Sequence, residues 1–292
     1  MNLELRDLHV FLTVTAERSF SRAAERLLRT QPAVSLALQR LEAEVGEKLI
    51  DRSARSLVLT DAGQTVLAYA RRFQSLRGDL ENALAELRDL SAGRLVIGAN
   101  ESSTLYLLGH VERFRRSYPR VKVEIRRSLS SKIPSELLEG RLELGVVSYE
   151  PASEGLASSV LYTDSLAFVV AREHRFSRRR VVSIEELGLE TFIAHNVTSP
   201  YRALVLAEFQ RHKVPLNIDV EMPTIESIRR CVQANQGVAF LPRMCVEREL
   251  EQKLLCEVRV KELRVERKIR LVYPATRTLS HAARAFLSVV RS

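Results

Sequence analysis

The chain has 292 residues, 46% of them hydrophobic, which is enough apolar material for the cores of two or three domains. Its three scattered cysteines, Cys231, Cys245 and Cys256, include no CxxC pair and favour a reducing compartment over a disulfide framework. The start, MNLELRDLHVFLTV, does not resemble a signal peptide, and no apolar stretch approaches the ~20 residues of a membrane span, so we expect a cytoplasmic protein that does not contact membranes.

The formal net charge of +9 is unevenly distributed along the chain. Residues 1–91 hold 13 Lys and Arg against 13 Asp and Glu, whereas residues 92–292 hold 32 against 23. A basic total charge often indicates a nucleic-acid partner, but here it says nothing about the N-terminal part. If that part binds DNA, a few well-placed arginines must contact the phosphates.

The first 59 residues show short helical patterns. One helical face carries Leu5, Leu8, Phe11, Leu12 and Thr15. In SFSRAAERL, either Ser19 or Ser21 can cap a second helix whose inward side is formed by Ala23, Ala24 and Leu27.

The stretch LLRTQPAVSLALQRLEAEVG contains a proline inside an otherwise helical pattern. Proline is tolerated in the first turn of a helix, where its missing N–H has no partner to lose. We therefore predict a third helix with Thr30 as its N-cap and Pro32 in its first turn. Its buried face consists of Val34, Leu38, Leu41 and Val45. After Gly46, the alternation in KLIDRSARSLVLT predicts a small hairpin turning at Asp51–Ser56.

Residues 60–91 predict one long helix. Its apolar positions alternate in steps of three and four residues: Val66, Tyr69, Phe73, Leu76, Leu80, Ala83, Leu87 and Leu90. This heptad seam favours a dimerising helix. The alternative is an ordinary helix packed on its own domain.

From residue 92 onward, short β-rich runs alternate with helical ones, which is typical of an α/β domain built from βαβ units. The length suits two lobes, with the chain crossing near Leu161–Ser165 and returning before Ile269. We therefore predict three domains, a helical domain at 1–59, a linker helix at 60–91 and an α/β domain at 92–292. Within the last, lobe I comprises 92–163 and 269–292, and lobe II comprises 164–268.

The stretch from Phe11 to Leu67 resembles the LysR-type transcriptional regulator family. The matching positions are Ser19-Phe20, Ala23-Ala24, Gln31-Pro32-Ala33-Val34-Ser35, Leu41-Glu42, Gly46, Leu49, Arg52, Leu59-Thr60 and Ala62-Gly63. The resemblance implies an N-terminal all-α winged helix-turn-helix and a C-terminal two-lobed effector domain like a type 2 periplasmic-binding protein. It also implies a homodimer or homotetramer, double-stranded promoter DNA as a partner, and contact with RNA polymerase.

In such a domain the third helix enters the major groove, where base edges carry a full donor and acceptor code. Arginines beside the helix and in the wing suit phosphates. The predicted DNA-contacting residues are Ser21, Arg29, Thr30, Gln31, Pro32, Ser35, Leu36, Gln39, Arg40, Arg52 and Arg55.

Leu36 departs from the family habit, in which a polar residue commonly follows the serine of the motif. One hypothesis is that its side chain packs on thymine methyl groups and narrows the preferred DNA sequence. The alternative is contact with a neighbouring protein surface.

The effector domain of the family holds a small ligand between its lobes at the strand ends. Here hydroxyl, amide and imidazole side chains follow several predicted strands and stand where helices begin. The candidates are Ser102, Ser103, Thr104, Ser128, Ser130, His195, Asn196, Thr198 and Thr224. Any one of them can equally be a helix cap or a turn former. Together they predict a small polar ligand, a carboxylate or an oxyanion.

The sequence lacks a phosphate-cradling glycine loop, a metal-spaced His/Cys cluster and a nucleophile elbow, so we predict no enzymatic activity, cofactor or metal. The favoured interpretation is a sequence-specific DNA-binding regulator controlled by a small anionic metabolite. The alternative is a cytosolic small-molecule-binding protein or enzyme of the same two-lobed fold with an appended helical domain.

Overall fold

The computed structural model divides the chain into two compact units, residues 1–93 with 135–142 and residues 94–134 with 143–292. The structure describes residues 3–51, 57–88, 93–197 and 199–291.

The first unit begins with three helices and a hairpin, as the sequence predicts. The elements are α1 (Leu5–Glu17), α2 (Phe20–Arg26), α3 (Gln31–Val45), β1 (Ile50–Asp51) and β2 (Val58–Leu59). Ser19, rather than Ser21, caps α2, since its side chain accepts a hydrogen bond from the N–H of Arg22. Thr30 caps α3, which ends at Gly46 with a φ of 81°, a left-handed conformation that glycine adopts without strain. The two strands pair antiparallel as a wing.

One apolar core holds these elements together. Its fully buried side chains include Phe11, Val34, Leu38, Leu41 and Leu49. They come from α1, α3 and the start of the wing. The predicted inward face of α3 is therefore confirmed, and its opposite side is left exposed.

The long helix α4 spans Asp61–Arg88, 28 residues. Val66 packs against the N-terminal core, whereas Tyr69, Phe73, Leu76 and Leu80 are between 44% and 64% exposed. An exposed apolar row of this kind is unusual on a helix that packs only on its own chain. Of the other predicted seam residues, the side chains of Ala83 and Leu87 and the whole of Leu90 lie outside the described residues.

The second unit alternates strands and helices. Its helices are α5 (Glu101–Ser117), α6 (Ile133–Leu138, at the boundary with the first unit), α7 (Ile184–Leu187), α8 (Pro200–Arg211), α9 (Ile225–Gln233), a 3-10 turn (Arg243–Cys245), α10 (Glu247–Glu251) and α11 (His281–Arg291). Its strands are β3 (Gly93–Ala99), β4 (Val121–Arg127), β5 (Leu144–Val147), β6 (Leu156–Ala171), β7 (Val181–Val182), β8 (Thr191–His195), β9 (Asn217–Met222), β10 (Ala239–Pro242), β11 (Leu255–Glu257), β12 (Arg259–Val260) and β13 (Glu266–Pro274).

The main sheet of this unit has seven strands in the order β10-β6-β13-β5-β3-β4, with β11 also pairing with β6. Two further pairs, β8 with β9 and β7 with β12, are parallel. Since α8 joins β8 to β9, this pair is a βαβ unit of the kind that the sequence predicts.

Strand β6 links two apolar cores. Its first part pairs with β13, and its last residues pair with β10 and β11. One core contains Phe114 and Phe286 of α5 and α11, and another contains Phe168, Phe192 and Phe209. The strand predicted from LAFVVA alone thus begins ten residues earlier, at Leu156, and the predicted crossing between lobes falls inside it.

Candidate functional site

The outer face of α3 is a candidate DNA-contacting surface. Gln31, Pro32, Leu36 and Gln39 are exposed, and Ser35 is half-buried. The side-chain amide of Gln31 donates to Oγ of Ser35 over 3.2 Å, so these two polar groups are presented together. Leu36 is 52% exposed, which places it on the outward face that the helical periodicity predicts.

Arg40 has a partner within its own domain. Its Nε donates to Oδ2 of Asp7 over 3.0 Å, and a terminal nitrogen donates to Oδ1 over 2.9 Å. Asp7 is buried in α1, and the hydrogen bond and charge of its carboxylate raise the pKa of Arg40. This bidentate pair ties α3 to α1, so any DNA contact by Arg40 competes with it.

The remaining predicted DNA contacts surround the start of α3. Ser21 and Thr30 are exposed and Arg29 is half-buried, while Arg52 and Arg55 lie outside the described residues. The sequence reading missed Leu28, which is 94% exposed with a φ of 53°, in the turn before α3. The sequence signal for Leu28 was that it directly follows Leu27, while the apolar face of α2 needs only one leucine there.

The start of α5 gathers several of the predicted effector residues around Asn100. Its Oδ1 accepts hydrogen bonds from the Ser103 N–H over 2.9 Å and from the Ser102 hydroxyl over 3.1 Å. Its Nδ2 donates to Oγ of Ser130 over 2.8 Å. The hydroxyl of Thr104 donates back to the carbonyl oxygen of Asn100. Asn100, absent from the predicted set, is therefore the residue that joins four of its members.

Two predicted positions at this end of the unit differ in their surroundings. Ser103 is fully buried, and its Oγ has no hydrogen-bond partner among the described residues. Ser128 is half-buried at the end of β4, and its backbone N–H donates to the carbonyl oxygen of Ala99.

The predicted residues of lobe II lie near the ends of β8 and β9. Nδ1 of His195 accepts from the N–H of Val197 over 3.0 Å, and Asn196 is exposed. Thr224 caps α9 through a hydrogen bond from the N–H of Ser227. Thr198 lies outside the described residues.

Glu101, which the sequence reading also missed, connects the two lobes. Its Oε1 accepts a hydrogen bond from the N–H of Ile225, the first residue of α9, over 2.9 Å. Its Oε2 lies 3.4 Å from Nε2 of His195 and 3.8 Å from a guanidinium nitrogen of Arg127. The sequence offered only a weak signal, an acidic residue in the first turn of α5.

A buried ion pair lies where the chain crosses between the lobes. Arg267 of β13 donates to Oδ2 of Asp164 on β6 over 2.8 Å and to Oγ of Ser102 over 3.2 Å. Its guanidinium carbon lies 4.9 Å from the centre of the Tyr201 ring. Both charged residues are at most 5% exposed, and Nε of Arg267 has no partner among the described residues.

Opposing influences act on the pKa of Asp164 in this pair. Burial raises the pKa of Asp164, while the charge of Arg267 and the N–H of Met244 act in the opposite direction. A guanidinium with an unused N–H at the N-terminus of α5 favours a bound anion.

Within the described part of the chain, no group of three or more His, Cys, Asp or Glu side chains could hold a metal ion. No helix described there is long and apolar enough to cross a bilayer.

Two family models match this chain, and together they cover most of it. Residues 5–64 match the bacterial regulatory helix-turn-helix protein of the lysR family, and residues 88–292 match the LysR substrate binding domain. A probable RuBisCO transcriptional regulator from Cyanophora paradoxa is 31% identical over 97% of this chain and 89% of its own length. Another with the same name, from a Synechocystis strain, is 30% identical over 98% of this chain and 85% of its own length.

Solved structures agree on the fold. CbnR, a LysR family transcriptional regulator, superposes with a TM-score of 0.74 at 20% identity, covering 99% of this chain and 98% of its own. Full-length CbnR complexed with its target DNA gives a TM-score of 0.73 at 20% identity, covering 99% of both chains. The CcmR regulatory domain of Synechocystis PCC6803, solved with 2-PG, gives 0.62 at 21% identity and covers 68% of this chain and 95% of its own. The two family models together span nearly the whole chain, and so does each of the two relatives. The chain therefore belongs to the LysR family of DNA-binding transcriptional regulators.

Proposed function

We propose that this LysR-type regulator binds promoter DNA as a homo-oligomer and is controlled by a small anionic metabolite held between the lobes of its effector domain. The observation that carries the ligand half is the buried guanidinium of Arg267 on β13. It lies 3.2 Å from the hydroxyl of Ser102, at the start of α5. The protein acts in the cytoplasm, where its DNA lies, and as a switch rather than as an enzyme.

The DNA half of the proposal rests on the exposed face of α3. The amides of Gln31 and Gln39 can reach base edges, adenine in particular, and the wing and Arg29 can contact phosphates. CbnR, whose fold this chain shares, has been solved with its target DNA. A symmetric dimer would place two such faces on two half-sites.

The ligand half rests on where positive charge is available. Arg267 has one carboxylate partner in Asp164, and its Nε remains unused. An unsatisfied buried donor is unfavourable, and a carboxylate or oxyanion ligand satisfies it. The CcmR regulatory domain, of similar fold, was solved with 2-PG, which supports a small anion as the effector class.

The test is a DNA-binding titration with the purified full-length protein on the DNA flanking its own gene. We expect the protein to retain DNA in a sequence-dependent and salt-dependent way. The footprint should change when 2-PG or inorganic phosphate is added. The variant Leu36→Gln should show an altered base preference. DNA binding that does not depend on the base sequence would contradict the proposed regulator. It would favour a small-molecule-binding protein or enzyme with an appended helical domain. An unchanged footprint with every anion would refute the effector class alone.

A further inference from the structure

Glu101 occupies a position that is chemically suited to a bound ligand. Its carboxylate lies at the N-terminus of α9, where the N–H of Ile225 donates to Oε1 over 2.9 Å. Helix N-termini attract anions because their first N–H groups lack partners within the helix. The Thr224 side chain accepts from the N–H of Ser227, and the N–H of Ile225 is left for the carboxylate.

The same carboxylate meets a second group of lobe II. Nε2 of His195, at the end of β8, lies 3.4 Å from Oε2. Since Glu101 itself belongs to lobe I, one side chain contacts both the helix start and the imidazole of the opposite lobe. Its side chain is 27% exposed, so the contact is partly shielded from water.

Arg127 adds a further link across the same boundary. From the end of β4 in lobe I, its guanidinium donates to the carbonyl oxygen of Pro223, just before α9, over 3.4 Å. The same nitrogen lies 3.8 Å from Oε2 of Glu101. The hydroxyl of Tyr201 on α8 also donates to the carbonyl oxygen of Ser148 in lobe I. The lobes are thus joined by side-chain contacts from Glu101, Arg127 and Tyr201.

We propose that Glu101 is an internal ligand, a carboxylate that joins lobe II to lobe I and that the effector must displace. The inference rests on the proposed function, since it assumes an anionic effector between the lobes. It specifies how that effector acts. An incoming carboxylate or oxyanion takes the N–H of Ile225 and the side of His195, and the negative charge of Glu101 moves away from it.

The first test measures the contact itself, without any ligand. Hydrogen exchange in the full-length protein is compared for the wild type, Glu101→Ala and Glu101→Gln. Glu112→Ala is the matched control, because it removes the same charge from an exposed position on the same helix. We expect exchange at the Ile225 amide about tenfold faster in Glu101→Ala, unchanged in Glu112→Ala, and intermediate in Glu101→Gln, whose amide oxygen still accepts.

The second test measures competition. Titration calorimetry with inorganic phosphate, and in parallel with 2-PG, is expected to show about tenfold tighter binding to Glu101→Ala than to the wild type or Glu112→Ala. The reason is that a competing carboxylate and its like charge are gone.

The outcomes separate the two proposals. Faster exchange in Glu101→Ala, with no anion binding to any variant, would support the contact and overturn the anionic effector. Anion binding of equal strength in the wild type and Glu101→Ala would support the effector and overturn the internal ligand. Unchanged exchange at the Ile225 amide in Glu101→Ala would also overturn the proposal that Glu101 is an internal ligand.

Discussion

At the scale of single residues, the buried ion pair of Arg267 and Asp164 carries a prediction about stability. We expect Arg267→Met to destabilise the effector domain by about 3–5 kcal/mol, because it leaves a buried carboxylate without its cation. The double variant Arg267→Met with Asp164→Asn is expected to recover most of that loss. Denaturant unfolding followed by circular dichroism checks both.

The loss in Arg267→Met has a defined pH dependence. Burial already raises the pKa of Asp164, and removing Arg267 removes an influence that lowers it. A carboxyl group whose pKa is raised on folding stabilises the folded state below its unfolded pKa, and this contribution disappears as pH rises through the folded pKa. The loss should therefore be largest at neutral pH and shrink in acid, whereas the double variant should show no such trend. An equal loss at both would mean that Asp164 is not the uncompensated group.

At the scale of elements, α4 carries the prediction about assembly. Leu80 is 59% exposed and lies in line with Tyr69, Phe73 and Leu76. Burying one leucine contributes about 1.5–3 kcal/mol, and a symmetric seam buries it twice. Leu80→Glu is therefore expected to raise the dimer dissociation constant at least about 100-fold, measured by sedimentation. It should also weaken binding to the full DNA site.

The control for Leu80→Glu is Gln74→Glu, which adds the same charge to α4 at an exposed position off the seam. Its dimerisation is expected to match the wild type. A Leu80→Glu protein that remains dimeric at wild-type strength would place the contact elsewhere and leave this apolar row without the role proposed for it.

The elements also show which parts of the structure follow from the sequence. The bounds of α1 to α3 were predictable because their signals are local: an apolar face, the cap Thr30 and the stop at Gly46. The first half of β6 was not, since it is stabilised mainly by pairing with β13, far along the chain. The same holds for the contacts between the lobes. Arg267 and Asp164 are 103 positions apart, and Glu101 and Ile225 are 124 apart, beyond any helical or strand period.

At the scale of the whole molecule, the charge distribution limits how the protein can hold DNA. The net charge of +9 belongs entirely to residues 92–292, while residues 1–91 are neutral. Phosphate contacts by the N-terminal domain are therefore predicted to depend on few arginines: Arg29, Arg52 and Arg55. Three per protomer give about six in a dimer, hence a slope of log K against log salt near −5.

Arg29→Gln removes one of these predicted contacts from each protomer. The slope is expected to become shallower by about 2 while the preferred DNA sequence is kept, because phosphate contacts carry no base information. Arg259→Gln is the matched control, since it removes an exposed arginine of the basic effector domain. If the slope changes for Arg259→Gln and not for Arg29→Gln, the effector domain, and not the neutral N-terminal domain, supplies the phosphate contacts.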